Sequence, residues 1–250
     1  MSTNTTYLIT GANRGIGRGL TAELLQRPYV TVIAAVRDTS AMTFVNLPAG
    51  DGSKLIIVKL DSQTESDAKE AVAQIRAEHG ITSLDVVIAN AGIATSSASV
   101  DETTSDNLRD HFNTNTIGPV LLFQATKPLL KESGKPVFLA ISTVIGSMGA
   151  QEALAALPAK FSPYGASKAA LNWLVRRIHF EEPWLTAYVT HPGLVMTDML
   201  NTVAGSGVNP VALGAITVEA SVKGMLSTLD SASREIGGTF QNHDGTTLPW

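Results

Sequence analysis

The 250-residue sequence contains no cysteine. This excludes disulfide bonds, thiolate nucleophiles and metal sites built on cysteine ligands. The sequence also lacks any apolar run close to the roughly 20 residues that a membrane-spanning helix requires. An excess of positive charge is missing as well, because the formal net charge is -4, and this argues against nucleic acid as a partner.

Metal-site and targeting patterns are also missing. The five histidines show no spacing typical of a metal site, so we predict no bound metal. The segment Met1 to Thr6 has neither a basic start nor a hydrophobic stretch, which argues against a signal peptide and favours a cytoplasmic protein without a membrane partner. The 44% hydrophobic content is enough for the core of one α/β domain over residues 1–250.

Short apolar runs recur along the chain. Most are continuous rather than alternating in hydrophobicity, which is typical of parallel strands covered on both faces. The predicted strands are Tyr7–Thr10, Val30–Val36, Lys54–Leu60, Leu84–Ala89, Pro136–Ile141, Thr186–Thr190 and Thr239–Gln241. Helical patterns lie between them. We therefore predict a single-domain α/β Rossmann fold, a doubly wound parallel sheet of about seven strands with helices on both faces.

Apolar residues at helical spacing predict the helices between these strands. The stripes are Ile16, Leu20 and Leu24, and Ala68, Val72 and Ile75. A longer helix is expected from about Thr104 to Lys131, with kinks at Pro119 and Pro128. For the helix that runs to Phe180, Ser162 is the predicted cap and Pro163 the predicted first residue.

A glycine-rich turn follows the first predicted strand, between Thr10 and Gly17. Gly11 allows a tight turn, Gly15 lets the backbone approach a pyrophosphate, and Gly17 allows close packing of the following helix, whose N-terminus faces the phosphates. The spacing Gly-x-x-x-Gly-x-Gly differs from the commoner Gly-x-Gly-x-x-Gly pattern. Its position after a strand and before a helix predicts a dinucleotide site.

The end of the second strand indicates which dinucleotide binds. An NAD site usually has an acidic residue there, whereas an NADP site offers a cation to the 2′-phosphate. This sequence has Val36 near that position and Arg37 next, and Arg14 is a second candidate guanidinium. We therefore predict NADP(H). Asp38 leaves two alternatives open, since it either faces the ribose or pairs with Arg37.

Tyr164 and Lys168 are four residues apart in a predicted helix. This spacing places the phenol and the ammonium on one helix face. A neighbouring cation lowers the pKa of a phenol, which ordinarily titrates near about 10, and so favours a general acid. The alternative is an ordinary solvated helix face.

Taken together, these motifs resemble those of the short-chain dehydrogenase/reductase family over nearly the whole chain. The resemblance implies a cofactor turn, an adenine contact, a fourth-strand motif, an active-site pair and a nicotinamide-contacting segment. The corresponding residues are Gly11, Asn13, Arg14, Gly15, Ile16 and Gly17; Asp61; Asn90, Ala91 and Gly92; Tyr164 and Lys168; and Pro192, Gly193, Val195 and Thr197.

The same resemblance implies roles for Lys168 and Asn115. Lys168 would hold the nicotinamide ribose, and Asn115 would support a water path that resupplies the proton. For Asn115 an alternative is a polar residue that bends the helix next to Gly118 and Pro119.

The sequence departs from the family pattern after the fifth predicted strand. Two serines usually precede the glycine there, and the second is catalytic. Here the run reads Ile141-Ser142-Thr143-Val144-Ile145-Gly146, which places Thr143 at the catalytic position. A threonine hydroxyl has the same donor and acceptor capacity as a serine hydroxyl. Ser142 is the alternative if the strand ends one residue earlier.

Within the family, the chain is similar to fungal ketoreductases of the norsolorinic acid reductase type, and more loosely to C-factor-like and carbonyl-reductase-like members. The similarity is carried by residues 84–91, 119–126, 184–187 and 244–250. It implies reduction of a bulky, aromatic polyketide-type ketone. The alternatives are a broad-specificity carbonyl reductase and a protein that binds NADPH without catalysis, as a sensor or to hold an intermediate.

Two segments are expected to shape the substrate pocket. Residues 194–217 carry apolar side chains around a glycine-rich center, which predicts a mobile lid. Residues 147–161 contain Met148, Leu154, Leu157 and Phe161. The helix that carries Tyr164 has apolar side chains to spare at Leu171, Trp173, Leu174 and Ile178, and together with the family resemblance this predicts a homo-oligomer, a dimer or a tetramer.

Overall fold

Seven parallel strands form one sheet at the centre of the molecule. The computed structural model describes residues 4–40, 44–156, 160–200 and 211–250. Along the chain the strands are β1 Thr5–Thr10, β2 Val30–Val36, β3 Lys54–Lys59, β4 Val86–Ala89, β5 Val137–Ile141, β6 Thr186–His191 and β7 Phe240–Asn242. Their order across the sheet is β3-β2-β1-β4-β5-β6-β7. The predicted Rossmann fold and its strands are confirmed, with boundaries that differ by no more than two residues.

Helices connect the strands. They are α1 Gly15–Leu25, α2 Asp67–His79, α3 Ser105–Phe112, α4 Gly118–Leu130, α5 Gln151–Leu154, α6 Ser162–Glu181 and α7 Val218–Asp230, and residues 198–200 are also helical. Among the described residues, no helix combines the length and hydropathy that crossing a bilayer requires.

Both faces of the sheet are buried, which explains the continuous apolar runs. Leu8 of β1 packs into a core with α2, α4 and α6, whereas its neighbours Tyr7 and Ile9 pack into a second core with α1 and α7. Successive strand residues point to opposite faces. A strand covered by helices on both sides therefore has an apolar residue at nearly every position.

The long helix expected from Thr104 to Lys131 is interrupted differently from the prediction. Helix α3 passes at Phe112 into a π-helical segment, Asn113–Ile117, before α4 begins at Gly118. Pro119 lies in the first turn of α4, where its missing N–H costs little. The irregularity therefore lies before the proline, in a segment with i→i+5 hydrogen bonds, a feature often found at functional sites.

The start of α6 also corrects the prediction. Ser162 does not cap the helix but is its first residue, and Phe161 occupies the cap position with φ 53°. The backbone N–H of Ser162 donates to the Ala98 carbonyl at 3.0 Å, and that of Lys160 to the Ser97 carbonyl at 3.2 Å. A tertiary contact, which sequence spacing does not reveal, fixes the entry into the helix. Pro163 lies in the first two positions, near where it was predicted.

Candidate active site

A cleft opens at the carboxyl ends of the strands, where the sheet order reverses between β1 and β4. Ligands of doubly wound sheets bind at this switch point. The residues that line the cleft are Gly11, Asn13, Arg14, Gly15, Ile16, Gly17, Arg37, Leu60, Asp61, Ser62, Gln63, Asn90, Ala91, Gly92, Ile93, Thr114, Ile141, Ser142, Tyr164, Lys168, Pro192, Thr197, Asp198 and Met199. Most of the predicted site residues are therefore brought together. Thr143, Asn115, Gly193 and Val195 are not among those that line it.

The glycine turn between β1 and α1 forms one wall of the cleft. Gly11 and Gly15 have φ of 63° and 51°, a backbone region that favours glycine. A Cβ on Gly17 would lie 2.3 Å from the Gly11 carbonyl oxygen and 2.5 Å from Nδ2 of Asn90. Only glycine at position 17 therefore lets α1 approach the turn this closely.

The segment that follows β4 holds this turn in place. The Asn90 side chain donates through Nδ2 to the carbonyl oxygens of Thr10 at 2.8 Å and Gly11 at 3.3 Å. In return, Oγ1 of Thr10 accepts from the backbone N–H groups of Asn90 at 3.1 Å and Ala91 at 3.0 Å. The two predicted motifs are thus one hydrogen-bonded unit.

Two arginines supply positive charge to the cleft. Arg37 and Arg14 both line it, and Arg14 lies 3.9 Å from Asp198 with both side chains exposed. Asp38 does not line the cleft. Its Oδ1 accepts from the backbone N–H of Ser40 at 2.9 Å and from the Ser40 hydroxyl at 2.6 Å. The Asp38 carboxylate is thus engaged with Ser40, and the cleft receives the guanidinium of Arg37.

The loop after β3 forms the end of the cleft near Arg37. Asp61 accepts from the backbone N–H of Gln63 at 3.0 Å, and its own N–H donates to Oδ2 of Asp67 at 2.8 Å. Asp67 is buried and pairs with Nζ of Lys59 at 3.1 Å. From this loop, Nε2 of Gln63 donates to the Thr114 hydroxyl at 2.9 Å. The loop is therefore tied to the π-helical segment.

Tyr164 and Lys168 lie together at the other end of the cleft, although their electrostatics correct the sequence interpretation. Burial raises the pKa of the half-buried Tyr164 to about 12, and its hydrogen bond with Thr143 opposes this rise. Burial lowers the pKa of Lys168 to about 8, and Nζ of Lys168 donates to the Ile141 carbonyl at 2.8 Å. Desolvation of both groups therefore outweighs the predicted lowering of the phenol pKa by the ammonium. The phenol keeps its proton at neutral pH.

The hydroxyls of Thr143 and Ser142 have different partners. The Thr143 hydroxyl is hydrogen-bonded to Tyr164 and accepts from the backbone N–H of Ile145 at 3.2 Å. The Ser142 hydroxyl donates to Oδ1 of Asn172 at 2.5 Å. Ser142 lines the cleft, but its hydroxyl is committed to α6. The geometry therefore pairs Thr143 with the phenol.

Asn115 lies behind the cleft, in the π-helical segment, and is completely buried. Its Oδ1 accepts from the backbone N–H of Ile93 at 2.8 Å, and its Nδ2 donates to the Ile93 carbonyl at 2.9 Å and the Ser167 hydroxyl at 3.0 Å. The side chain thus joins the segment after β4 to α6. Asn115 therefore lies at a helix irregularity, as the second interpretation predicts, and the water-path role stays a prediction.

The segment after β6 contributes Pro192 and Thr197 to the cleft. The Pro192 carbonyl accepts from the Ser221 hydroxyl at 2.6 Å. Gly193 has φ 86°, and Val195 is buried and forms an isolated parallel bridge with Ile216. Gly193 and Val195 therefore support the segment rather than line the cleft.

The two predicted substrate segments are only partly described. In the predicted lid, residues 201–210, which include Val203 and Val208, lie outside the described residues. Its Met199 lines the cleft. In the second segment, Leu157 lies outside the described residues, and Met148, Leu154 and Phe161 are not among the cleft-lining residues, with Met148 exposed. The lining of the cleft therefore does not support the predicted pocket role of Met148, Leu154 and Phe161.

Several cleft residues were not predicted. They are Leu60, Ser62, Gln63, Ile93, Thr114, Ile141 and Asp198. Each is next to a predicted site residue or within two positions of one, so proximity in sequence to those residues was the available signal. Across the described part of the chain, no group of three His, Asp or Glu side chains is placed to hold a metal ion.

The amino-acid sequence is similar to those of known proteins. Residues 5–206 match the family model described as short chain dehydrogenase. The chain is 41% identical over 255 residues to a norsolorinic acid ketoreductase of Dothistroma septosporum, covering 100% of this chain and 94% of that protein. It is 42% identical over 251 residues to the norsolorinic acid ketoreductase of Aspergillus parasiticus, covering 98% and 91%.

Solved structures show the same likeness in three dimensions. The NADPH-bound carbonyl reductase from chicken fatty liver matches with a TM-score of 0.85 and 31% identity, covering 100% of both chains. The carbonyl reductase Sniffer of D. melanogaster matches with a TM-score of 0.81 and 26% identity, also covering 100% of both chains.

The lowered pKa of Lys168 predicts how stability depends on pH. Between pH 8 and the ordinary value of 10.5, the unfolded chain carries a proton on Lys168 that the folded protein has released. The free energy of unfolding therefore rises with pH in this window. We expect the wild type to gain up to about 3 kcal/mol relative to Lys168→Met across the window, with a constant difference below it. Denaturant titrations at several pH values measure this difference.

Lys223→Met is the matched control, because Lys223 is an exposed lysine of α7. The difference between the wild type and this control variant should not change with pH over the same range. A constant difference for Lys168→Met as well would contradict the lowered pKa.

Proposed function

Because the chain belongs to the short-chain dehydrogenase family, a family of oxidoreductases, we propose that it is an NADPH-dependent ketoreductase. Its substrate is a bulky ketone of the aromatic polyketide type, and its product is the secondary alcohol. The observation that carries this proposal is that Tyr164 and Lys168 line the same cleft as the glycine turn. The fungal relatives, named as norsolorinic acid ketoreductases, support the substrate class.

The cleft fits a dinucleotide. Gly11 and Gly15 adopt the left-handed backbone that the turn requires, and the cap residue of α1 makes no side-chain hydrogen bond to the helix N-terminus. Exposed N–H groups at a helix N-terminus bind phosphates. Arg37 supplies a cation where a 2′-phosphate is recognised. We assign the cofactor as NADP(H) on these grounds, and the NADPH-bound structural neighbour is consistent with it.

The residues of the chain supply the acid catalysis. NADPH, when bound, supplies a hydride to the carbonyl carbon. The Tyr164 phenol donates its proton to the carbonyl oxygen as negative charge develops there, which forms the alcohol and leaves a phenolate to be reprotonated from solvent. The Thr143 hydroxyl adds a second hydrogen bond to that oxygen. Lys168, held by the Ile141 carbonyl, keeps positive charge near the phenolate.

The proton-donor role predicts the behaviour of variants. Tyr164→Phe should abolish turnover and leave the NADPH dissociation constant unchanged, because only the acidic proton is lost. Thr143→Val should lower kcat by about 100-fold or more, as loss of an oxyanion donor does. NADPH oxidation followed optically against ketones from small aliphatic to polycyclic aromatic measures both effects.

Ser142→Ala is the matched control, since the Ser142 hydroxyl is committed to Asn172. A larger loss for Ser142→Ala than for Thr143→Val would reverse the assignment. Turnover of the whole ketone panel would indicate a broad-specificity carbonyl reductase, as the likeness to carbonyl reductases also allows. NADPH binding without turnover of any ketone would indicate the non-catalytic alternative.

The assignment of Arg37 predicts cofactor preference. Arg37→Ala should weaken NADPH binding by about 10- to 100-fold, because a hydrogen bond to a charged group contributes about 1.5–3 kcal/mol. NADH binding should be unaffected. Arg18→Ala is the control, since Arg18 is an exposed arginine of α1 that does not line the cleft. Fluorescence titration with both cofactors measures the ratio, and an unchanged ratio for Arg37→Ala would contradict NADP(H) specificity through this residue.

We also propose that the chain forms a homo-oligomer through α6 and the π-helical segment. Helix α6 packs against the π-helical segment, and both expose large apolar side chains. Ile117 is 45% exposed, Trp173 63% and Phe180 57%. Leu171 and Ile178 were also predicted to be available for a subunit contact. Both are buried in the core, so they do not contribute to this surface.

The oligomer proposal predicts that Trp173→Glu shifts the protein to a smaller species, because a charge on this surface opposes association. Val45→Glu is the control, since Val45 is 51% exposed and belongs to the connection between β2 and β3, at the edge of the sheet remote from β6, against which α6 packs. Sedimentation velocity at several concentrations measures the change. A monomeric wild type, or an unchanged mass for Trp173→Glu, would overturn the proposed interface.

A further inference from the structure

His111 is a completely buried histidine next to the active site. It lies in α3, four residues before Asn115. We propose that His111 is a positioning residue, which fixes the ring of Tyr164 and the wall segment, residues 93–98, that follows β4. The inference rests on the proposed function, since the phenol it positions is the proposed proton donor.

The hydrogen bonds of the imidazole define its protonation state. Nδ1 of His111 lies 2.7 Å from the Asn107 carbonyl oxygen, which can only accept. Nε2 accepts from the backbone N–H of Thr95 at 3.2 Å, a group that can only donate. Both bonds are satisfied only by a neutral ring with its proton on Nδ1. His111 therefore bridges α3 and the wall segment, with one donor and one acceptor in fixed positions.

The wall segment is held at both ends, and His111 holds its middle. Asn115 binds both the N–H and the carbonyl of Ile93 at one end. The backbone N–H groups of Lys160 and Ser162 bind the carbonyls of Ser97 and Ala98 at the other end. Between them, the Thr95 N–H is held by the imidazole. Ile93 lines the cleft, so the position of this segment affects the shape of the site.

His111 also contacts the catalytic tyrosine directly. The ring centroids of His111 and Tyr164 are 6.5 Å apart at an interplanar angle of 64°, an edge-to-face arrangement. The second partner of the phenol is the Thr143 side chain. Because Ser162, two residues before Tyr164, is bonded to the wall segment, His111 supports the phenol both through its ring and through the start of α6. A displacement of about 1 Å at the reacting atoms is enough to lower a rate by about 100-fold.

The test compares two substitutions at this position. His111→Gln keeps an acceptor within reach of Thr95, whereas His111→Leu removes both hydrogen bonds. With NADPH and acetonaphthone, a bicyclic aryl ketone, we expect kcat of His111→Leu to fall by about 10- to 100-fold, with NADPH affinity unchanged. His111→Gln should recover most of the loss. If His111→Leu does not fold, His111→Asn replaces it, because asparagine keeps the donor to Asn107 but is too short to reach Thr95.

A second measurement does not depend on turnover. With tyrosine selectively labelled for NMR, the Tyr164 ring signal is identified by its loss in Tyr164→Phe. His111→Leu should broaden this signal, and His111→Gln should restore its sharpness. Unchanged kcat and an unchanged Tyr164 signal in His111→Leu would overturn the proposal, as would equal losses for the leucine and glutamine variants. Absence of acetonaphthone turnover in the wild type would count against the ketoreductase proposal, and the Tyr164 signal would still decide the role of His111.

Discussion

The buried side-chain amide of Asn115 joins three parts of the chain around the end of the cleft that holds Tyr164 and Lys168. It lies in the π-helical segment, binds both backbone groups of Ile93, and donates to the hydroxyl of Ser167 on α6. A buried amide whose groups are paired stabilises one arrangement, because leaving any of them unpaired costs free energy. Asn115 therefore contributes to the spacing between the wall segment and α6. Its neighbour Thr116 reinforces the contact, since its hydroxyl donates to the Ser167 carbonyl at 2.7 Å.

The opposite end of the cleft depends on close contacts with the backbone of the glycine turn. Gly17 allows α1 to approach the turn after β1, and Asn90 fastens the turn to the end of β4. The arginines lie on the outer side of this rigid unit, where they remain exposed. The cleft therefore combines a hydrogen-bonded backbone turn with exposed charged side chains. This arrangement suits an extended anionic ligand, whose phosphates need fixed N–H groups and whose terminal charge needs a cation.

The electrostatics of the catalytic pair follow from burial. Tyr164 is half-buried and Lys168 is buried, and desolvation shifts the pKa of each toward its neutral form. A protonated phenol is the state that a proton donor requires. Sequence spacing alone predicts that the ammonium lowers the pKa of the phenol. It does not show how far tertiary packing removes solvent from both groups, and this desolvation has the larger effect on each pKa. The hydrogen bond from Lys168 to the Ile141 carbonyl was equally invisible in the sequence.

The sequence by itself determined the strands, the parallel sheet and the position of most cleft residues. It did so because hydrophobic runs and the glycines of the first turn are local signals, and because the carboxyl ends of parallel strands meet at one edge. Only the tertiary structure bonded the Ser142 hydroxyl to Asn172, turned Asp38 toward Ser40, started α6 at Ser162, and placed His111 against Tyr164. Each of these outcomes depends on a partner distant along the chain or on a competing local hydrogen bond. Spacing along one segment reveals which side chains share a face, but the residue that meets that face is fixed by packing.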